Sequence, residues 1–397
     1  MSESIYDIIV VGKGLIGAAA AKYISRHHAN ILVVGADEPA NNHDAIVYAS
    51  HYDQGRVQRI VGRDTVWTRL NIDSAKQYKQ LQQESGLEFH YPVGCLYATA
   101  HEQDNYLAHL HEQAARFDFP YRLYNGEELQ TAFPDFHFPE NIRANFEAAP
   151  SGHINPRKLI EAQLTVCKKN GGTVISDTVV QVKPVHDIFQ ITTASKNIYK
   201  AKKVLLAPGA FTNFLSLMQQ KLWLQLKSET IVQAKVTAEE AARLSKLPSL
   251  LYEITTDELD EIYLIRPIQY PDGNYYLKIG CNLTNDKYFS TLEEVQQWFR
   301  NGDSEMNLPV LKQALQEVMP HLMVQEYIAK RCIITYTKHR KQYISETDCK
   351  GLYIATGGNG YSAMCSDALG NIASHVVINN SFPAGYCAED FIPVWME

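Results

Sequence analysis

Six residues near the start of the chain have the types and spacing to hold a dinucleotide. They are Gly12-Lys13-Gly14-Leu15-Ile16-Gly17, directly after an apolar run and directly before an alanine-rich one. Gly12 permits a tight turn, Gly14 lets the backbone approach a pyrophosphate, and Gly17 lets a helix pack on the preceding strand, so that the first N–H groups of the helix face phosphate charge. A turn of structural use alone can carry the same glycines, but the context of strand before and helix after is the one that dinucleotide binding needs. One element departs from the pattern. An acid that takes the ribose hydroxyls is expected at the end of the second strand, yet Ile31-Leu32-Val33-Val34 is followed by Gly35. Asp37 is the candidate substitute, and a ribose held by backbone alone is the alternative. The seven cysteines show neither a CxxC pair nor metal-ligand spacing, which predicts no metal site. Asp, Glu and His are too scattered to nominate a general base.

The elements that position this turn can be read around it. Residues 6–11 read as a strand, 18–26 as a helix and 30–34 as a second strand, one βαβ unit. Further on, residues 155–169 read as an amphipathic helix, 171–176 as a strand, 187–193 with 197–199 as a hairpin, and 204–207 as a separate buried strand ending in Pro208-Gly209-Ala210. A short apolar run at 352–355 leads into Thr356-Gly357-Gly358-Asn359-Gly360, then a helical stretch at 366–378. Three strand-then-glycine segments far apart in sequence can bring their carboxyl ends to one cleft, which predicts a discontinuous nucleotide domain. The fold class expected is α/β, α+β overall: a Rossmann-type unit of residues 1–86, 147–222 and 325–397, with a largely antiparallel second domain of residues 87–146 and 223–324. At 397 residues two domains are the default. No apolar run approaches the roughly eighteen residues of a membrane span. The first residues lack the basic region of a secretory signal, and the unpaired thiols suit a reducing compartment, so a cytoplasmic location is expected. A net charge of −7 without a basic cluster argues against a nucleic-acid partner.

The order of four patches resembles the D-amino-acid oxidase superfamily, with monomeric sarcosine oxidase and the oxidases of N-methyl amino acids as the nearest likeness. The patches are the N-terminal turn, the segment from Ala49-Ser50-His51 to Arg59, the run Pro208-Gly209-Ala210, and the glycine-rich C-terminal segment. The resemblance covers nearly the whole chain, thinly. It implies FAD as cofactor and a small amine or amino acid as substrate. Hydride would pass from the carbon beside nitrogen to flavin N5, releasing an imine, with molecular oxygen as acceptor and hydrogen peroxide as product.

What the resemblance implies for single residues differs from patch to patch. Arg56 resembles the family arginine beside the flavin and Arg59 the one that grips the substrate carboxylate, a role suited to a planar guanidinium; two surface arginines on a loop is the plainer reading. Lys278 resembles the lysine that assists oxygen over the flavin, where a cation stabilises developing negative charge; a solvated strand lysine is the alternative. Asn282 stands where the family has a histidine. Cys332, within Cys332-Ile333-Ile334-Thr335-Tyr336-Thr337, falls where sarcosine oxidases attach flavin through sulfur, and an inert buried thiol is the other reading. Gly209, Gly358, Asn359 and Gly360 resemble cofactor-contacting positions, and so does His51. Ser362 replaces a family lysine, so one expected carboxylate anchor is missing.

Three other readings stay open on the sequence alone. A dehydrogenase of the same fold would pass electrons to a quinone or protein; Lys278 favours oxygen instead. A catalytically silent FAD-binding subunit would tolerate the changes at Asn282, Ile334 and Ser362. An NAD-dependent dehydrogenase shares the glycine turn, but the glycine segment returning near the C-terminus disfavours it.

Overall fold

A computed structural model describes residues 5–101 and 105–397. Its first layer is an 8-stranded sheet whose centre is parallel: Thr173–Ser176, Ile31–Gly35, Ile5–Val11, Ile198–Leu206 and Leu352–Thr356 lie side by side in that order. Strands this apolar need cover on both faces. Helices Leu15–Ser25, Thr65–Ser85, Pro156–Lys169 and Ser366–Asn379 pack on one face. The other is closed by the antiparallel strands Val179–Val185 and Ile188–Thr193 and by Leu217, Leu222 and Trp395. The expected hairpin is present, but residues 197–199 and 204–207 form one strand, Ile198–Leu206, and not two. Its first half pairs antiparallel with Ile188–Thr193 and its last residues pair parallel with Leu352–Thr356.

Local signals account for the helix ends. Asp64 caps the Thr65–Ser85 helix by accepting from Trp67 N at 2.9 Å, and Gly86 ends it in the left-handed region at φ 77°. Asn155 caps Pro156–Lys169 by accepting from Lys158 N at 3.0 Å, with Pro156 in the first turn. The Leu15–Ser25 helix carries Ala18, Ala19, Ala20 and Ala21, all fully buried. These small side chains let Ser366–Asn379 come so near that a Cβ on Gly370 would lie 2.3 Å from the Ala19 Cβ. Across that contact Lys22 donates to Asp367 at 2.5 Å, and Tyr23 and Gln163 donate to the same carboxylate at 2.6 and 2.7 Å. One buried acid therefore joins three helices, and burial without these donors would be costly.

The second layer is a 9-stranded sheet containing Leu224–Val236, Tyr275–Leu283, Leu259–Gln269, Ser249–Thr255, Cys95–Thr99, Arg143–Glu147 and Arg122–Asn125 in that order. Its pairings are antiparallel except between Ser249–Thr255 and Cys95–Thr99. One face is sealed by Leu308–Val318 with Phe136 and Phe138. The expectation that residues 325–397 belong wholly to the nucleotide unit is corrected at its start: Glu326–Thr337 pairs along the whole of Leu224–Val236, in the second sheet. Residues 87–146 also hold two helices, Asn105–Arg116 and Gly126–Ala132. Arg56–Gln58, Gly152–Ile154 and His90–Tyr91 form a separate 3-stranded sheet. Among the described residues no helix is long and apolar enough to cross a membrane, and no cluster of His, Cys, Asp and Glu could hold a metal ion. All seven cysteines are unpaired.

Replacing Gly370 by valine inserts three methyl-sized groups where there is no room. The unfolding midpoint of Gly370→Val in urea is expected to fall by an amount equivalent to about 1–3 kcal/mol. An unchanged midpoint would refute the close helix contact.

Candidate active site

A long cleft runs between the two layers. Its walls come from the glycine turn 12–16, the end of the second strand (Val34, Gly35, Ala36), the segment 47–52, residues 207–211, the second sheet, and the C-terminal run 355–364. The turn is built by close approach. Gly12 sits at φ +100°, and a Cβ there would meet the Ala207 carbonyl oxygen at 2.3 Å; a Cβ on Gly17 would meet the Gly12 oxygen at 2.0 Å. Gly14 is the N-cap of its helix, with no side-chain cap and no acid in the first turn. The helix therefore offers free backbone N–H groups and positive dipole to the cleft. Gly209, at φ +59°, and Gly358 would each project a Cβ into open space, so backbone alone forms the wall there.

The missing strand-end acid has a steric explanation. A Cβ on Gly35 would lie 2.5 Å from the Lys13 backbone nitrogen, so the turn itself occupies that place. Asp37 is not among the cleft-lining residues: its exposed carboxylate is ion-paired to Lys13, which also donates to Ser176 at 2.8 Å. His51 does line the cleft, its ring 3.7 Å from where a Gly14 Cβ would stand. Burial, with Arg56, Arg157 and Lys13 nearby, holds its pKa down to about 3, so the ring is neutral. Asn359 uses its side chain internally, accepting from Thr337 N at 2.9 Å and donating to the Gly357 oxygen at 2.9 Å. It pins the C-terminal loop to the end of Glu326–Thr337, and Gly360, at φ +79°, follows beside Ile334.

Arg56 and Lys278 meet on a residue that sequence reasoning missed. Asp53, 3% exposed, is ion-paired to Arg56, accepts from Lys278 Nζ at 2.7 Å and accepts from Tyr270 Oη and Gln54 N at 2.5 and 2.7 Å. Burial acts to raise the Asp53 pKa, but Lys278 and Arg56 outweigh it and hold the carboxyl well below the usual range. Lys278 is 1% exposed and is pulled down to about 8 by burial and by Arg56, against the attraction of Asp53. It also donates to the Gly55 carbonyl and lies 5.4 Å from the centre of the Tyr263 ring. Tyr263 lines the cleft and Lys278 stands behind it. Lys278 is thus not the solvated strand lysine of the alternative reading; it is buried and absent from the cleft-lining residues. Gly280, opposite Tyr263 in the sheet, makes room for that ring, which a Cβ would approach to 2.4 Å.

Arg59 is likewise set back from the wall. It is 5% exposed, with its guanidinium 5.3 and 5.4 Å from the rings of Tyr106 and Tyr361, and its Nε has no hydrogen-bond partner. Tyr361 lines the cleft, and Arg63 lies 4.6 Å from the same ring. Ser362 offers nothing outward: its hydroxyl donates to the Gly358 oxygen at 2.7 Å and accepts from Gln342 at 2.6 Å. Asn282 lines the cleft and accepts from Lys227 at 3.0 Å. Cys332 lines it too, partly exposed, its thiol pushed up by burial and so protonated. Three acids complete the wall, Asp177, Glu229 and Glu261, none of which a motif would single out.

Asp53→Asn leaves two buried cations without their acid, and the urea unfolding free energy is expected to drop by about 3 kcal/mol. Adding Lys278→Met should return part of that loss. Equal stability of wild type and Asp53→Asn would sink the argument that this ion cluster ties the layers.

Comparison with known proteins places this geometry. The profile of the FAD dependent oxidoreductase family (DAO) matches residues 7–376. Monomeric sarcosine oxidase from Arthrobacter sp. (strain TE1826) is 23% identical over 253 residues, 63% of this chain and 64% of that protein. N-methyl-L-tryptophan oxidase from Yersinia pestis is 23% identical over 211 residues, 53% of this chain and 55% of that protein. The chain thus spans between about half and two thirds of the length of the curated relatives it matches. The open form of NikD, an amino acid oxidase of nikkomycin biosynthesis, superposes with a TM-score of 0.77 at 16% identity, covering 99% of this chain and 98% of that one, a likeness of fold.

Proposed function

We propose that this chain, which belongs to the FAD dependent oxidoreductase family, oxidises the C–N bond of a small amine or amino acid and passes the electrons to oxygen. The cleft fits the cofactor by its backbone: glycines whose Cβ atoms would collide or fill the groove, and an uncapped helix N-terminus, suit a pyrophosphate and a flat ring. When bound, FAD supplies the two-electron acceptor. The observation that carries the substrate side is Arg59, a buried guanidinium with an unpartnered Nε beside Tyr361. A buried cation lacking a hydrogen-bonded partner is a site for a carboxylate, which it can hold through charge-assisted bonds. Arg59 therefore orients the substrate, Tyr361 and Tyr263 exclude water, and Arg56 on the wall with Lys278 behind it supplies fixed positive potential. The domain division at residues 87–146 and 223–324, with the exchange of 326–337, assigns the substrate wall mainly to the second layer.

Cys332 is the sulfur suited to a thioether with the flavin, being the partly exposed one of the two cysteines on the cleft. The purified protein is expected to be yellow, to lose that colour when an amine or amino acid is added without air, and to release peroxide on aeration. After acid precipitation the colour should stay in the pellet, and leave it in Cys332→Ser. A protein that takes up no FAD, or whose colour no amine bleaches, refutes the reading.

A second reading, the same oxidation with a non-oxygen acceptor, is favoured by the placement of Lys278 behind Tyr263. The two separate on one measurement. If the Lys278 cation serves oxygen, reoxidation by oxygen should slow as pH rises through about 8, where the ammonium is lost. Lys278→Met should be about 100-fold slower and lack that pH dependence. A Lys278→Met rate equal to wild type would move the proposal to the second reading.

A further inference from the structure

The charge that the second sheet presents to the cleft is entirely acidic. Of its wall residues, those of Glu326–Thr337 included, the two charged ones are Glu229 and Glu261. The cations on the wall, Lys13 and Arg56, belong to the nucleotide side, and each already has its own acid, Asp37 and Asp53. Glu229, 5% exposed, shares Lys227 with Asp286. Glu261 has no such partner. Among the described residues its carboxylate forms neither an ion pair nor a hydrogen bond.

The backbone at Glu261 is arranged to aim that carboxylate. Strand Leu259–Gln269 loses register with Tyr275–Leu283 between Asp260 and Ile262, leaving Glu261 as the extra residue at φ 54°. Bulges re-aim a side chain, and a non-glycine residue in the left-handed region costs free energy that the surroundings must offset. Without the bulge, alternation along the strand would send residue 261 to the face opposite its neighbours. The arginines Arg59 and Arg63 lie on the Tyr361 ring, and Tyr361 and Glu261 line the same cleft. The buried guanidinium of Arg59, with its unpartnered Nε, supplies the second pole. The cleft thus has an acidic pole on its wall and a cationic pole beside one of its wall tyrosines, with no ion pair between them.

We infer that the substrate is an amino acid bearing a second, cationic group, and that Glu261 binds that group while Arg59 binds the carboxylate. This rests on the amine-oxidation reading above. The amine that is oxidised must be neutral when its neighbouring carbon gives up hydrogen with the bonding pair, so it cannot be the cation that Glu261 holds. That cation is a separate amino or guanidino group on the substrate side chain. The rings of Tyr263 and Tyr361 suit its methylene stem and its charge. Burial raises both wall acids, Glu229 to about 7 against the attraction of Lys227 and Glu261 against that of Arg59 and Arg63, so the charge of Glu261 is completed by a cation brought to it.

The test uses FAD-loaded enzyme, wild type and Glu261→Gln, mixed without air with paired probes in both enantiomers and as N-methyl derivatives: lysine against norleucine, and ornithine against norvaline. Flavin bleaching gives the reduction rate, and perturbation of the flavin spectrum before bleaching gives binding. Wild type should prefer the basic member of each pair, and Glu261→Gln should lower that preference by about 10- to 100-fold, the loss of one charge-assisted bond. Glu261→Lys should invert the preference towards acidic probes such as glutamate. Equal bleaching of basic and neutral probes by wild type, or a Glu261→Gln effect that is the same for both, overturns the inference while leaving amine oxidation standing. No bleaching by any probe or by a wider amine panel would instead overturn the reading on which it rests.

Discussion

Asp53 has one negative charge to share between two buried or half-buried cations, and the way it does so sets the relation of the two layers at the cleft. Arg56 opens a strand of the small sheet, whereas Lys278 belongs to the middle of the second sheet. Removing either cation from water is expensive, and only a carboxylate held by several donors at once makes the arrangement tolerable. Tyr270 and the Gln54 N–H complete that set. The result is a fixed excess of positive potential behind Tyr263, suited to stabilising electron-rich species in the cleft without any group having to move.

The remainder of the cofactor side is made of backbone. Gly12 and Gly17 are required by their neighbours and not by a ligand, since each closes on main-chain atoms at distances that exclude any side chain. Gly14, Gly209 and Gly358 differ: nothing presses on them, and their value lies in what they leave open. The same economy explains the absent strand-end acid, because Lys13 takes the space over Gly35 and then neutralises Asp37.

What could be read from the chain before its fold was known follows from the range of the interactions involved. The phosphate-binding turn was legible because its glycines are adjacent and its flanking strand and helix are local. Arg56, Cys332 and Asn282 were legible as wall residues through a family likeness. Asp53 was invisible, since a lone acid in a polar loop signals nothing until Lys278, 225 residues away, is brought to it. Glu261 was hidden for a different reason: an extra residue in a strand shifts every later side chain, and no spacing rule announces a left-handed glutamate. The boundary at residue 325 failed because Glu326–Thr337 is read as apolar alternation in either layer, and only its long partner Leu224–Val236 decides between them. Arg59 and Lys278 were picked out through the same likeness, but their burial against aromatic rings depends on residues that the sequence does not place.

The interleaving of the nucleotide layer also sets an order in time. Strand Ile5–Val11 leaves the ribosome first, but its neighbour Ile198–Leu206 comes far later, and Leu352–Thr356 and the helix carrying Gly370 and Asp367 come last. Lys22 is separated from the acid that makes its burial tolerable by 345 residues, so at ordinary rates of synthesis it waits on the order of tens of seconds. During that interval the alanine-rich helix face and the edges of the parallel strands have nothing to cover them. A newborn copy of this protein therefore passes through a prolonged half-built state, in which a chaperone competes with aggregation for the same exposed surface.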